Sequence, residues 1–209
     1  MLGLRMGAAK SLRRLDCRRN GGGMIGVTMM ETERLILRRF APDDWKDLHE
    51  YLSLAEVLKY DAETVSDEEQ CKAKAAARAK GEAFWAACLK DSGKMIGHVY
   101  FAQKDPPDFL AWEIGYIFNP AYWGKGYATE ASRRILQYGF EELGAHRIEA
   151  GCSPDNPPSW RLLERLGMRR EGYFKEHVFF RTDEKGQPIW LDSYMYGMLD
   201  KEYRANRAK

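Results

Sequence analysis

Cysteine and histidine are scarce in this sequence, and neither is arranged as a metal site. The four cysteines stand at positions 17, 71, 88 and 152, with no C-x-x-C pair and none of the close spacing of a disulfide-stapled scaffold. The four histidines, at positions 49, 98, 146 and 177, are equally dispersed, and each is expected to be an ordinary surface or core residue. We therefore expect no metal site and no disulfide framework, and a reducing cytoplasm is the simpler location.

Two further absences narrow the class of protein. No apolar run approaches the length of a transmembrane helix, although 44% of the 209 residues are apolar. The net charge is only +2, and the basic excess is concentrated in the first 28 residues, which leaves the remaining chain slightly acidic. We therefore expect a soluble protein, monomer or homodimer, that neither binds nucleic acid through its charge nor inserts into a membrane.

The first 29 residues do not have the pattern of a folded segment. Six basic side chains stand against one acidic side chain, and the apolar core of a secretory signal is missing. The run Asn20-Gly21-Gly22-Gly23 before Met24 could instead be a translated ribosome-binding site. We expect residues 1–29 to be a disordered leader or a mis-assigned start, and residues 30–209 to form one domain.

Apolar periodicity predicts an α/β fold. Alternating residues indicate strands, whereas a 3.6-residue repeat with capping residues indicates helices. The predicted strands are 32–40, 84–90, 95–103, 110–118, 146–152, 169–182 and 189–198, and the predicted helices begin at Pro42 and Ser66 or span 127–143, 158–166 and 199–207. A helix between strands 110–118 and 146–152 predicts that these two run parallel. We expect a mixed, mostly antiparallel sheet of six or seven strands with flanking helices.

A glycine turn leads directly into the longest predicted helix. In Trp123-Gly124-Lys125-Gly126-Tyr127-Ala128 the small residues leave backbone N–H groups uncovered, and the helix adds unpaired first-turn donors and a partial positive charge. Such a turn can hold a phosphate or pyrophosphate. It fits neither the Walker pattern nor the three-glycine dinucleotide pattern. A glycine turn before a core helix, without a ligand, is the alternative for these six residues alone.

This turn resembles the coenzyme A pyrophosphate loop of the GCN5-related N-acetyltransferases (GNAT), Arg/Gln-x-x-Gly-x-Gly/Ala, with Trp123, Gly126 and Ala128 at the defined positions. Trp123 departs from the usual Arg or Gln. A second match follows in the right order, because Asn156, Ser159 and Leu166-Gly167-Met168 resemble motif B of the family. Three segments are similar to segments of the RimJ/RimL-type ribosomal-protein N-terminal acetyltransferases: 32–40 (TERLILRRF), 123–131 (WGKGYATEA) and 190–199 (WLDSYMYGML).

The resemblance implies an acetyl-CoA-dependent N-acetyltransferase that moves an acetyl group to a primary amine by direct attack. It also implies a splayed sheet and a co-substrate held by Ile117, Phe118, Trp123, Gly124, Lys125, Gly126, Tyr127, Ala128, Thr129 and Asn156. A backbone N–H at Phe118 would hold the developing oxyanion, and Ser159 would protonate the leaving thiolate. For Asn156 and Ser159, an Asx turn with a helix N-cap is an alternative that is compatible with these roles.

Glu113 is the candidate base. It shares one face of strand 110–118 with Ala111, Gly115 and Ile117, so it is a carboxylate on a small, otherwise apolar face. An amine attacks only when it is neutral, and free amines with pKa values of about 8 to 10 are mostly protonated at pH 7. The resemblance places the base of some family members on this strand, where partial burial would raise the pKa of the carboxylate. The alternative is a structural glutamate, either at the edge of the strand or paired with an arginine such as Arg147.

The acceptor is not written in the sequence. The resemblance favours a protein N-terminal amine of the ribosomal-protein type, whereas polyamines, aminoglycosides and amino acids are acceptors of the same scaffold. In the family, the helices that begin here at Pro42 and Ser66 wall the acceptor site, although they also fit the pattern of plain surface helices. A second class of function is a module that binds acyl-CoA without turnover or a phosphate-binding regulatory domain. The presence of Glu113, Asn156 and Ser159 argues against a protein without catalytic activity.

Overall fold

An eight-stranded sheet runs through residues 29–207, the part of the chain that the computed structural model describes. The expected leader lies outside the described residues, apart from Met29. Every neighbouring pair of strands is antiparallel except β5 and β6, in the order β1-β2-β3-β4-β5-β6-β8-β7. The strands are β1 (Met29–Glu31), β2 (Leu35–Arg39), β3 (Phe84–Leu89), β4 (Met95–Gln103), β5 (Ala111–Phe118), β6 (Arg147–Cys152), β7 (Arg169–Thr182) and β8 (Pro188–Leu199). The predicted fold class is confirmed.

Five α-helices accompany the sheet in the described part of the chain. They are α1 (Trp45–Leu52), α2 (Glu68–Ala79), α3 (Tyr127–Gln137), α4 (Pro157–Arg165) and α5 (Asp200–Arg207), and a short 3₁₀ turn, Pro42–Asp44, precedes α1. None of the helices within residues 29–207 is both long and apolar enough to cross a membrane. The helix predicted to begin at Ser66 begins two residues later, because Asp67 is the N-cap and forms a capping box with Gln70, with N···O distances of 2.8 and 3.0 Å.

The two faces of the sheet carry separate apolar cores. One core packs α3 and α4 against residues such as Trp85, Ile114 and Ile148. The other packs α1 and α2 against Ala86, Met95 and Ile117. Because side chains alternate along a strand, β5 contributes its even-numbered residues to the first core and its odd-numbered residues to the second face.

Two elements differ from the prediction. The eighth strand, β1, was missed because three residues are too few for an alternating pattern, and its register with β2 runs from Met29↔Arg38 to Glu31↔Ile36. The predicted helix 127–143 covers the observed helical segment but is not regular to its end, since the turn Tyr138–Glu142 is a π-helix. Gly144 follows with a φ of 68°, which ends the segment.

Candidate functional site

The sheet opens between β5 and β6. These strands pair in parallel from Ala111↔Arg147 to Glu113↔Glu149, and the pairing does not continue beyond those residues. The predicted parallel pair and the predicted splay are therefore both present. Two cavities meet in the resulting gap and share residues of β5, β6 and the α1–α2 connection as their common wall: Tyr60, Asp61, Ile114, Gly115, Tyr116 and Gly151.

The small cavity, of about 100 Å³, lies on the α4 side of the gap. Tyr116 from β5 reaches across it, and its hydroxyl is 3.0 Å from Oγ of Ser159 and donates a hydrogen bond of 3.1 Å to the Ser159 carbonyl oxygen. Burial raises the pKa of the Tyr116 phenol, so this hydroxyl stays protonated at neutral pH. The pair is therefore a source of a proton inside the gap.

Asn156 and Ser159 reach the small cavity because they begin α4. The Asn156 side chain is the N-cap, and its Oδ1 accepts a hydrogen bond of 3.4 Å from the backbone N–H of Ser159. The capping alternative is thus observed, and both residues also line the cavity. One local motif fixes the helix and presents two polar groups to the gap.

Cys152 also lines the small cavity. Burial raises the pKa of its thiol to about 11, although a hydrogen bond from Ser159 opposes part of this rise. A thiol in this state carries little thiolate at neutral pH, and the thiolate is the nucleophilic form of cysteine. Cys152 is therefore a poor candidate for a covalent step.

The glycine turn before α3 has the geometry of an anion site. Gly124 and Gly126 have φ values of 72° and 82°, in the left-handed region that favours glycine. Within the described part of the chain, the backbone N–H groups of residues 124–129 have no hydrogen-bond acceptor. These exposed donors stand at the positive end of a helix of eleven residues, so the residues fit the pyrophosphate predicted from the sequence.

The other predicted residues of this turn surround those donors. Trp123 is half exposed, and its indole N–H donates a hydrogen bond of 2.7 Å to the Phe118 carbonyl oxygen, which ties the turn to the end of β5. Lys125 is exposed and its Nζ lies 3.0 Å from the Ala121 carbonyl oxygen. The remaining members, Tyr127, Ala128 and Thr129, form the first turn of α3.

Arg34 is a functional candidate that the sequence reasoning missed. Its guanidinium ion-pairs with Glu130 at 2.6 Å, donates a hydrogen bond of 3.0 Å to the Lys125 carbonyl oxygen and stacks 4.3 Å above the Tyr127 ring. Glu130 would otherwise place a bare negative charge in the first turn of α3, beside the anion site. Arg34 removes that repulsion, and no local spacing in the sequence links residue 34 to residue 126.

Phe118 and Ile117 lie on opposite faces at the end of β5. The backbone N–H of Asn119 bonds to the Ile96 carbonyl oxygen of β4 at 2.9 Å, and N–H groups alternate in direction along a strand, so the Phe118 N–H points toward the gap. That direction suits the predicted oxyanion contact. The Ile117 side chain instead faces the second core and lines the larger cavity.

The large cavity, of about 560 Å³, lies on the other face of the sheet. Its walls come from the α1–α2 connection, β3, β4, β5, β6 and β7, including Glu63, Phe84, Tyr100 and Phe180. Glu113 lines it from the predicted face of β5, but is exposed rather than partly buried.

The sequence predicted that Glu113 is partly buried, and this prediction is wrong because the side chain is exposed. Of the predicted alternative, the pairing of Glu113 with Arg147 is also wrong, whereas a glutamate at the edge of the strand stays a prediction. Arg147 pairs with Glu149, at 2.5 Å, and with Glu171. Within residues 29–207, Glu113 has no ion pair.

His98 closes the floor of the large cavity. It is buried, and its Nδ1 is 2.7 Å from the Tyr51 hydroxyl. Burial, with the nearby charges of Arg78 and Lys74, holds the pKa of His98 well below its usual range, so the imidazole is neutral at physiological pH. The sequence predicted that each histidine is an ordinary surface or core residue, and His98 is a core residue.

Two residues at the gap, Tyr116 and Asp61, were missed by the sequence reasoning for different reasons. Tyr116 shares a face with Phe118, and that parity could have placed it beside the thioester site. Asp61 lies in an irregular connection, where no periodicity indicates which way a side chain points. For Asp61 the sequence contains no usable signal.

Comparison with known proteins gives a consistent result. Residues 34–169 match the model of the acetyltransferase (GNAT) domain family. The uncharacterized N-acetyltransferase YnaD of Bacillus subtilis (strain 168) is 41% identical over 174 residues, which span 82% of this chain and 97% of that protein. The crystal structure of an acetyltransferase (GNAT family) from Bacillus anthracis superposes with a TM-score of 0.75 at 38% identity, over 83% of this chain and 99% of the other.

One further relative has its acceptor in its name. The [Ribosomal protein uS5]-alanine N-acetyltransferase of Escherichia coli (strain K12) is 30% identical over 129 residues, which span 61% of this chain and 63% of that protein. The similarity therefore extends over part of each chain.

Proposed function

The chain belongs to the GNAT acetyltransferase family and is an N-acetyltransferase, and we propose that it transfers the acetyl group of acetyl-CoA to a protein N-terminal amine. The observation that carries this proposal is the meeting of two cavities in the gap between β5 and β6. A polar, hydroxyl-bearing cavity suits the thioester, and a larger cavity open to solvent suits an amine carried by a bulky molecule. The 30%-identical ribosomal-protein acetyltransferase supports the choice of acceptor.

The co-substrate supplies an acetyl group activated as a thioester. On the side of the protein, the N–H groups of residues 124–129 and the end of α3 would hold its pyrophosphate. Lys125 would add a mobile positive charge, and Arg34 would neutralise Glu130 beside it. Asn156, at the N-terminus of α4, would hydrogen-bond the pantetheine arm of the co-substrate, which leads into the small cavity.

The chemistry follows from the groups that face the gap. The Phe118 N–H would stabilise negative charge on the thioester oxygen as the amine attacks. Ser159, hydrogen-bonded to Tyr116, would donate a proton to the departing thiolate and recover one through the Tyr116 hydroxyl. Because the pKa of Cys152 is raised to about 11, direct attack by the amine is favoured over transfer through an acyl-cysteine.

Glu113 contributes negative charge to the wall of the large cavity. An ammonium group that approaches from solvent would meet this carboxylate before it reaches the gap. We therefore assign Glu113 to the acceptor side of the site.

The acceptor is tested with labelled acetyl-CoA, a panel of peptides that differ in their first residues, and a parallel panel of polyamines, aminoglycosides and amino acids. Mass spectrometry identifies the acetylated product. We expect acetylation at the α-amine of peptides, with kcat/KM at least tenfold above that of the small amines. A preference for a polyamine or an aminoglycoside would replace the proposed acceptor while leaving the enzyme class unchanged.

A further inference from the structure

Asp61 occupies the point where the two cavities meet. It lies in the connection between α1 and α2, and it lines both the small and the large cavity. Among the described residues it is the one carboxylate that borders both. An amine that attacks a thioester in the gap must pass this point, because the gap is where the two spaces communicate.

The α1–α2 connection is held in place from two sides. From the β7–β8 hairpin, Arg181 donates hydrogen bonds to the carbonyl oxygens of Leu58 and Lys59, the latter at 3.0 Å. From α2, Lys74 and Arg78 ion-pair with Glu63. These contacts on either side of residue 61 fix its backbone at the gap.

The Asp61 carboxylate itself is not neutralised by a cation. Its Oδ1 accepts a hydrogen bond of 2.8 Å from the backbone N–H of Glu63, and within residues 29–207 it forms no salt bridge. Burial raises the pKa of Asp61 above its usual range, with the Glu63 charge adding to the rise and the backbone hydrogen bond, Arg78 and Lys74 opposing it. A partly buried carboxylate of this kind is a stronger base than an exposed one.

We infer that Asp61 is the residue that takes the proton from the acceptor's ammonium group, with Glu113 supplying charge farther out in the same cavity. The inference rests on the proposed acetyl transfer. One N–H proton of the ammonium passes to the Asp61 carboxylate, and the freed lone pair forms the N–C bond to the acetyl carbon. The C–S bond breaks, and its electrons leave on sulfur, which takes a proton from Ser159. The second N–H proton of the tetrahedral intermediate and the proton on Asp61 both pass to water. One of these two protons is taken back by Ser159 through the Tyr116 hydroxyl, and the other is released, so one proton is released for each amide formed.

The other titratable and charged groups that face Asp61 come from several elements. From its own connection, Tyr60 and Glu63 line the large cavity with it. From α2, Lys74 and Arg78 are engaged by Glu63. From β4, the pKa of His98 is held well below its usual range by burial, and the pKa of Tyr100 is raised by burial and by the Glu113 charge.

From β5 and the gap, the groups that remain are Tyr116, Cys152 and Glu113. Burial raises the pKa of both Tyr116 and Cys152. Since Glu63 is paired with Lys74 and Arg78, Glu113 is the carboxylate of the large cavity, without an ion pair in the described chain, that the experiment must distinguish from Asp61.

The test compares Asp61→Asn and Glu113→Gln in the full chain, with Asp91→Asn as the matched control in the exposed β3–β4 turn. For Asp61→Asn we expect kcat/KM to fall by about 10²-fold to 10⁴-fold, the range of general-base catalysis. The acid limb of the pH profile should disappear, while calorimetric affinity for acetyl-CoA stays within twofold. Glu113→Gln should keep that limb, and Asp91→Asn should match the wild type.

The outcomes separate this inference from the proposed function. An Asp61→Asn enzyme with the wild-type acid limb, or a limb lost in Glu113→Gln instead, overturns the role of Asp61 while acetyl transfer stands. A wild-type protein that acetylates no amine overturns the proposed function, and the role of Asp61 with it. If Asp61→Asn has no cooperative melt, Asp61→Ser is measured in the same way, since it also lacks the carboxylate.

Discussion

The two cavities on either side of the gap are built in different ways. The small cavity is lined largely by residues that are close in sequence, with Gly151, Cys152, Ser153, Asn156 and Ser159 forming one wall. The large cavity is assembled from segments that are distant in sequence, namely the α1–α2 connection, β3, β4, β5, β6 and β7. The small cavity therefore depends on local turn and cap geometry, whereas the large cavity depends on how distant segments are brought together by the fold.

Under the proposed function, the small cavity would serve the co-substrate, which is the same in every member of the family, and the large cavity would serve the acceptor, which varies. A thioester and a pyrophosphate are the same in every turnover, so short motifs with fixed backbone geometry suffice to hold them. An acceptor differs from enzyme to enzyme, and the large cavity, which would receive it under the proposed function, can be altered in any of six segments without disturbing the turn at Gly124 and Gly126. The comparison therefore makes distinct predictions for variants on the two sides.

The largest effect is expected for Gly126→Asp. The substitution places a negative charge among the N–H donors and forces a non-glycine residue into a φ of 82°. Calorimetry should show that affinity for acetyl-CoA falls by at least about 10²-fold, equal to about 2.7 kcal/mol. Gly93→Asp is the control, because Gly93 has a φ of 72° in the β3–β4 turn with nothing within 4 Å, so it carries the same backbone cost away from the site. Unchanged binding in a folded Gly126→Asp protein would remove the turn from the site.

A smaller effect is expected from the hydroxyl pair of the small cavity. Ser159→Ala deletes the proton donor, and Tyr116→Phe deletes its hydrogen-bond partner at 3.0 Å. Each should lower kcat by about 10-fold to 10²-fold, at the low end of general-acid effects because a thiolate with a pKa of about 8.5 leaves tolerably well unaided.

The acetyl-CoA affinity of both variants should stay within threefold of the wild type, and Ser92→Ala in the exposed β3–β4 turn serves as the control. The double variant distinguishes two arrangements. If Ser159 and Tyr116 act as one relay, the double variant should lose no more than the worse single variant. Multiplicative losses would show that the two hydroxyls act independently.

The smallest effect is expected from Arg181→Ala, on the acceptor side. Loss of the two hydrogen bonds to the Leu58 and Lys59 carbonyls should loosen the connection that carries Asp61. The acceptor KM should rise by about threefold to tenfold while the acetyl-CoA KM is unchanged, since a displaced positioning group weakens one substrate and not the other. Lys185→Ala, in the exposed turn of the same hairpin, should have no effect. An equal rise in both KM values would show that the hairpin supports the whole fold rather than the acceptor side.

The same contrast explains what the sequence could predict. The turn at residues 123–128 and the Asn156–Ser159 cap are local, and their spacing was sufficient to predict their positions. Glu113 was placed on the correct face by alternation along β5, but its exposure depends on loops that come from elsewhere in the chain. Asp61 and Arg34 reach the site through contacts with residues about 55 to 120 positions away, and no local pattern encodes such contacts.

The gap between β5 and β6 also has a thermodynamic consequence. A sheet gains stability from paired backbone groups, and here the amides near Tyr116 and Phe118 give up that pairing so that a substrate can enter. A ligand that binds the native state and not the unfolded chain raises the free energy of unfolding by mass action, by about 2.7 kcal/mol at one hundred times its Kd. The melting temperature of this protein should therefore follow the supply of acetyl-CoA, and slowed hydrogen exchange on binding should be concentrated at the edge of β5 that faces the gap.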